Sequence, residues 1–192
     1  MVKVTVDGKE SVFNVSDFEN FGKLYDELSP KGKVLKHLII NNVEIPAQKV
    51  SELRNSTLEE DTNIIMEFVT PSEYLVEILP GVIDYVKTAV KLLPNVAESL
   101  RYGQTKSFKD IESLSDSISA LDSLRQSIRK ITVVPEPDTT DVLSRLRNFL
   151  KCLEKQDKED IANAVENDLP IVLKFYQEFF QKTLEKLREE GT

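Results

Sequence analysis

The sequence predicts an α+β chain: a small sheet-bearing unit over residues 1–70, then an all-helical unit over residues 71–192. Three observations predict it. Apolar residues alternate with period two as far as Val69 and recur at three- and four-residue spacing beyond Pro71. Hairpin punctuation (Asp7-Gly8, Lys31-Gly32, Asn41-Asn42) is confined to the first part. A chain of 192 residues with 40% apolar side chains has enough material to bury a core in each part.

In the first part, Val2, Val4 and Val6 share one side of a strand and Lys3 and Thr5 the other. Asp7-Gly8 supplies the two positive φ angles of a type I′ turn. The return strand runs from Glu10 to Val15, with Ser11, Phe13 and Val15 on one face. Ser16-Asp17-Phe18-Glu19 reads as a capping box. It opens a helix carrying Phe18, Phe21, Leu24, Tyr25 and Leu28, which stops at Ser29-Pro30 because proline disfavours helical geometry in the residue before it. Val34 to Asn41 reads as a central strand and Val43-Glu44-Ile45 as a short one ended by Pro46. Residues 47–61 are irregular or briefly helical, and Asn63–Val69 is the last strand, with Ile64, Met66 and Phe68 on one face.

That order of elements, with the Asp7-Gly8 hairpin and a capped helix after it, resembles the β-grasp, or ubiquitin-like, fold over the first third of the chain. The resemblance implies a two-layer sandwich of sheet and helix. Members that act as modifiers or sulfur carriers use a free Gly-Gly tail. Here Phe68-Val69 leads into Thr70-Pro71 and the sequence closes on Glu190-Gly191-Thr192, so that chemistry is not expected.

The second part is expected to be a bundle of about four helices, kinked or restarted at Leu79-Pro80, Leu93-Pro94 and Leu169-Pro170. A narrower seam, Phe108, Ile111, Leu114, Ile118, Leu121 and Ile128, includes Arg125, whose stem packs while its head reaches solvent or a carboxylate. Val133–Thr140, with Pro135 and Pro137, reads as a linker between two candidate hairpins, 71–131 and 141–190. Superposing Leu93 on Leu146 also places Val96 on Phe149, Ala97 on Leu150 and Leu100 on Leu153, which leaves a duplication open. The runs Leu153-Glu154-Lys155-Gln156-Asp157 and Glu166-Asn167-Asp168-Leu169-Pro170-Ile171 resemble bacterial proteins of unassigned activity that pair a small β domain with helical hairpins. That likeness implies architecture only.

Composition narrows the function. A net charge of −8 argues against a nucleic-acid binder. No apolar run reaches the ~20 residues of a membrane span, and Met1-Val2-Lys3-Val4 alternates like a strand, unlike a signal peptide, so a cytoplasmic location is expected. One Cys and one His make a Cys/His zinc site unexpected. His37 reads as a strand-edge or partly buried residue, Cys152 as an inert thiol, and Asp157-Lys158-Glu159-Asp160 as a solvated turn. Seven serines, among them Ser113, Ser115, Ser117 and Ser119, read as the small polar face of one helix. No catalytic, cofactor or metal set is nominated.

The last helix carries the positive signal. Phe175, Tyr176, Phe179 and Phe180, with Leu184 and Leu187, spread wider than the roughly 100° one interface needs. Phe175 and Phe179 are expected in the core, and Tyr176, Phe180 and Leu184 toward the edge as candidate partner-binding residues. The expected function is a non-enzymatic protein–protein interaction module, adaptor or chaperone-like, meeting a protein partner or itself. The alternatives are a small-molecule-binding bundle and an enzyme that uses carboxylates alone.

Overall fold

The computed structural model describes residues 1–46, 49–103, 105–136 and 139–191, with the side chains of 105–108 left aside; the expected seam residue Phe108 and the linker residue Pro137 thus lie outside the described set. The chain is α+β, with a five-stranded sheet followed by a helical region. Its compact units are Met1–Tyr74 and Leu75–Thr192.

The first unit runs β1 (Val2–Val6), β2 (Lys9–Phe13), α1 (Phe21–Leu28), β3 (Val34–Ile40), β4 (Val43–Glu44), α2 (Val50–Leu53) and β5 (Asn63–Val69). The sheet order is β2-β1-β5-β3-β4, with β1 and β5 parallel and the other neighbours antiparallel. β5 therefore holds the middle, and β3 lies beside it. Asp7 (φ 47°) and Gly8 (φ 79°) form the positive-φ turn. Asp7 also closes the sheet: its carboxylate accepts from the Phe68 N–H at 2.7 Å and from Lys33 at 3.1 Å, and the Phe68 bond leads in holding its pKa below the ordinary carboxylate value. Val2, Val4, Leu38, Ile64, Met66 and Phe68 meet Phe21 and Leu24 in the core.

The start of α1 differs from expectation. Val15–Asp17 forms a 3-10 turn in which the Asp17 carboxylate accepts from the Asn14 N–H, and the helix begins at Phe21, capped by Asn20 accepting from the Lys23 N–H at 3.0 Å. Asn20 wins because the 54–56 segment comes down on that end. Phe21 N–H donates to Ser56 C=O and Gly22 N–H to Arg54 C=O, satisfying early donors that a longer helix would have bonded internally. A Cβ on Gly22 would lie 2.7 Å from that Arg54 oxygen, so the approach requires glycine. Phe18 is left outside the helix, edge-on to Phe13.

A capping box does occur, at Thr70 and Glu73. Glu73 accepts from the Thr70 N–H at 2.8 Å, and Thr70 Oγ1 accepts from the Glu73 N–H at 3.2 Å. With Pro71 as the first helical residue, this launches α3 (Pro71–Arg101). After it come α4 (Thr105–Ile128), α5 (Thr140–Lys155), α6 (Lys158–Asn167) and α7 (Leu169–Glu190).

Helices are thus more numerous than the four expected, and their breaks lie elsewhere. Pro80 and Pro94 sit inside one continuous α3. Each deletes a backbone donor, but the buried residues on either side, Leu79 and Ile83, then Leu93 and Ala97, hold the helix against the core. The third Leu-Pro step falls in the first turn of α7, where proline costs no intrahelical bond. α5 ends on Gln156 in the left-handed region (φ 56°), and Asp157 caps α6 by accepting from the Glu159 and Asp160 N–H groups. The acidic run expected to be a solvated turn is therefore a helix start.

The superposition of Leu93 on Leu146 holds further in local geometry. It lays left-handed Gly103 on left-handed Gln156, and Thr105, the first residue of α4, on Lys158, the first of α6. Burial does not follow. Leu93, Ala97 and Leu100 are buried, whereas Leu146 and Leu153 are partly exposed and Leu150 is exposed.

α7 is the hub of the helical unit. Its buried residues, Leu169, Val172, Leu173, Phe175, Tyr176, Phe179, Phe180, Thr183, Leu184 and Leu187, cover about half of its circumference, and Lys174, Glu178, Lys182 and Glu185 lie exposed on the other half. An apolar arc wider than one interface needs is shared among several neighbours, here α4, α5 and α6.

Candidate functional site

The edge residues expected to meet a partner are not at an edge. Tyr176, Phe180 and Leu184 are 3%, 0% and 7% exposed, as deeply placed as Phe175 and Phe179. Several neighbours share the wide arc of α7, and its apolar width reflects a central position. Of the three, Tyr176 lines a cleft open to solvent.

That space is a cleft of about 450 Å³ between α4 and α5, with α7 as its floor. Ile118 from α4, Val142, Leu146 and Phe149 from α5, and Phe175 and Tyr176 from α7 form its apolar lining. Leu143 and Leu150 stand on its rim, 48% and 51% exposed. The cleft exists because α4 is thin on this side. Ser115 and Ser119 hold positions where longer apolar residues would have met α5. The other flank of α4 behaves alike: Ser117, Ala120, Leu121 and Leu124 face Ile78, Val82 and Tyr85 of α3 across a second opening of about 730 Å³. Small side chains leave packing undone on both flanks.

At the end of the first cleft, where α4 passes toward α5, a charged network is built in. Arg125 Nη2 lies 2.9 Å from Asp122 Oδ1, and Arg125 Nη1 donates to Glu136 Oε1 at 2.6 Å. The Tyr176 hydroxyl donates to Asp122 Oδ1 at 3.2 Å, Gln126 donates to Asp122 Oδ2, and the Arg125 guanidinium stands over the Phe175 ring at 5.9 Å. Arg125 thus packs its stem in the seam and delivers its head to carboxylates, one of the two outcomes its position allowed. Burial pulls the Asp122 carboxyl upward, but hydrogen bonds from Gln126 and Arg125, with the Arg125 charge, outweigh it, and the net direction is down. Burial, then the Asp122 charge, raises the Tyr176 phenol. Both groups keep their ordinary states at neutral pH: carboxylate and neutral phenol.

Two other polar clusters brace the unit. Arg101 binds Glu159, Asn163 and Glu166, fastening the end of α3 to α6. Arg145 and Asn148 hold Asp168 at the α6–α7 junction. Cys152 is buried, and burial pushes its thiol pKa up, away from reactivity. His37 bonds Glu44 across β3 and β4 at 2.9 Å on an exposed face. Among the described residues no group of His, Cys, Asp and Glu converges on a metal-sized site, and no helix is long and apolar enough to cross a membrane.

No single stretch of the sequence signals the cleft, because its parts are spread from Ser115 to Tyr176. The signals present were an arginine on an apolar seam and alternate serines on a helix. Neither names its neighbour. Comparison with family models, curated proteins and solved structures finds no match.

Proposed function

We propose that this chain is a non-enzymatic protein-binding module, adaptor-like or chaperone-like, whose working surface is the cleft between α4 and α5. The observation that carries this reading is the pair of exposed leucines, Leu143 and Leu150, on the rim of an apolar cleft whose charged end is already neutralised internally. Exposed leucines bordering an apolar groove favour a ligand large enough to cover the rim as well as enter it. The N-terminal unit we read as β-grasp-like; the order β2-β1-β5-β3-β4 and the helix following the first hairpin support that. Because β5 runs on into α3, we read it as a positioning or binding domain, not as a modifier with a free glycyl end.

A photo-crosslinking residue at Leu150 tests the reading in cells. It should join the chain to a protein, identified by mass spectrometry, while the same residue at exposed Lys182 on α7 should not. Equal yields at both positions would remove the support for the cleft.

A second reading, a small-molecule site, is favoured by the aromatic lining of Phe149, Phe175 and Tyr176 and by a volume within the ~300–1,000 Å³ of ligand pockets. Carboxylate chemistry gains less support. Asp122 and Glu136 are both engaged by Arg125, and the pKa of Asp122 moves away from that of a general acid.

A further inference from the structure

We draw no further inference here: the strongest candidate, the apolar opening between α3 and α4 lined by Ile78, Val82, Tyr85, Leu121 and Leu124, is an unpartnered apolar face, and nothing in the structure shows what covers it.

Discussion

α7 and α4 lie against each other in one bundle and follow opposite packing strategies. α7 buries large apolar residues over about half of its circumference and turns Lys174, Glu178, Lys182 and Glu185 outward. α4 carries a narrow buried seam, Ile111, Leu114, Ile118, Leu121 and Ile128, flanked by serines and alanine, and open space lies on both flanks. Apolar breadth on a helix therefore marks centrality in this chain, and the accessible apolar surface collects beside the helix that lacks breadth. What distinguishes the two is side-chain volume against neighbour number. A helix with several neighbours can bury large side chains over a wide arc, whereas a thin helix between two others cannot fill the gaps they leave.

The largest effects should fall on α7. Phe179→Ala and Phe180→Ala each remove a fully buried ring and should each cost about 3–5 kcal/mol, lowering the melting temperature of the helical unit by roughly 10–20 °C. Thermal melts of both variants decide it; a near-native melt for Phe180→Ala would restore that residue to the edge and dissolve the contrast with α4.

Next comes the network joining the two helices. Arg125→Ala leaves Asp122 without its cation and Glu136 with the longer Arg129 contact at 3.6 Å. Because the cluster is only partly buried, we expect about 2 kcal/mol, below the 3–5 kcal/mol of a fully buried broken pair. The pH dependence has a definite sign. The pKa of Asp122 is depressed in the folded chain, so its contribution is complete above its unfolded value near 3.9 and is lost as pH falls through the lower folded value. Asp122→Asn should therefore flatten the acid limb of stability below about pH 4; an unchanged limb would mean the network is not coupled to folding.

A smaller loss is expected far from either helix. Gly22→Ala pushes a methyl group toward the Arg54 carbonyl and should cost about 1–2 kcal/mol. Hydrogen exchange should show the opening in α1 and residues 54–56, with protection in α4 and α7 unchanged.

The smallest stability effect is the sharpest test of the contrast. Ser119→Leu adds an apolar side chain where α4 is thin and should change stability by no more than about 0.5 kcal/mol, since the position is exposed, while occupying the cleft and suppressing the Leu150 crosslink. An undiminished crosslink would place the docking surface elsewhere.

Local signals in the sequence carried much of the N-terminal unit. Asp7-Gly8 dictated its turn because two adjacent positive φ angles need those residue types, and Ile64, Met66 and Phe68 showed their buried face because strand period is two. Asn63–Val69 was legible to the residue. The start of α1 was not: Ser16 and Glu19 fit a cap as well as Asn20 does, and the choice belonged to Ser56 and Arg54, more than thirty residues on. The prolines of α3 predict breaks that do not occur for a related reason: a missing hydrogen bond is local, but the packing that outweighs it is not.

By itself, then, the sequence determined the α+β division, the turn chemistry, and the apolar faces of strands and helices. Tertiary structure alone decided that Tyr176, Phe180 and Leu184 are core, that Arg125 finds Glu136, and that open space lies beside α4. The physical reason is that a residue's own chemistry sets what it prefers to bury, while exposure depends on what stands opposite. In a bundle the facing residues come from helices far apart in the chain, and three- and four-residue spacing fits more than one neighbour equally well.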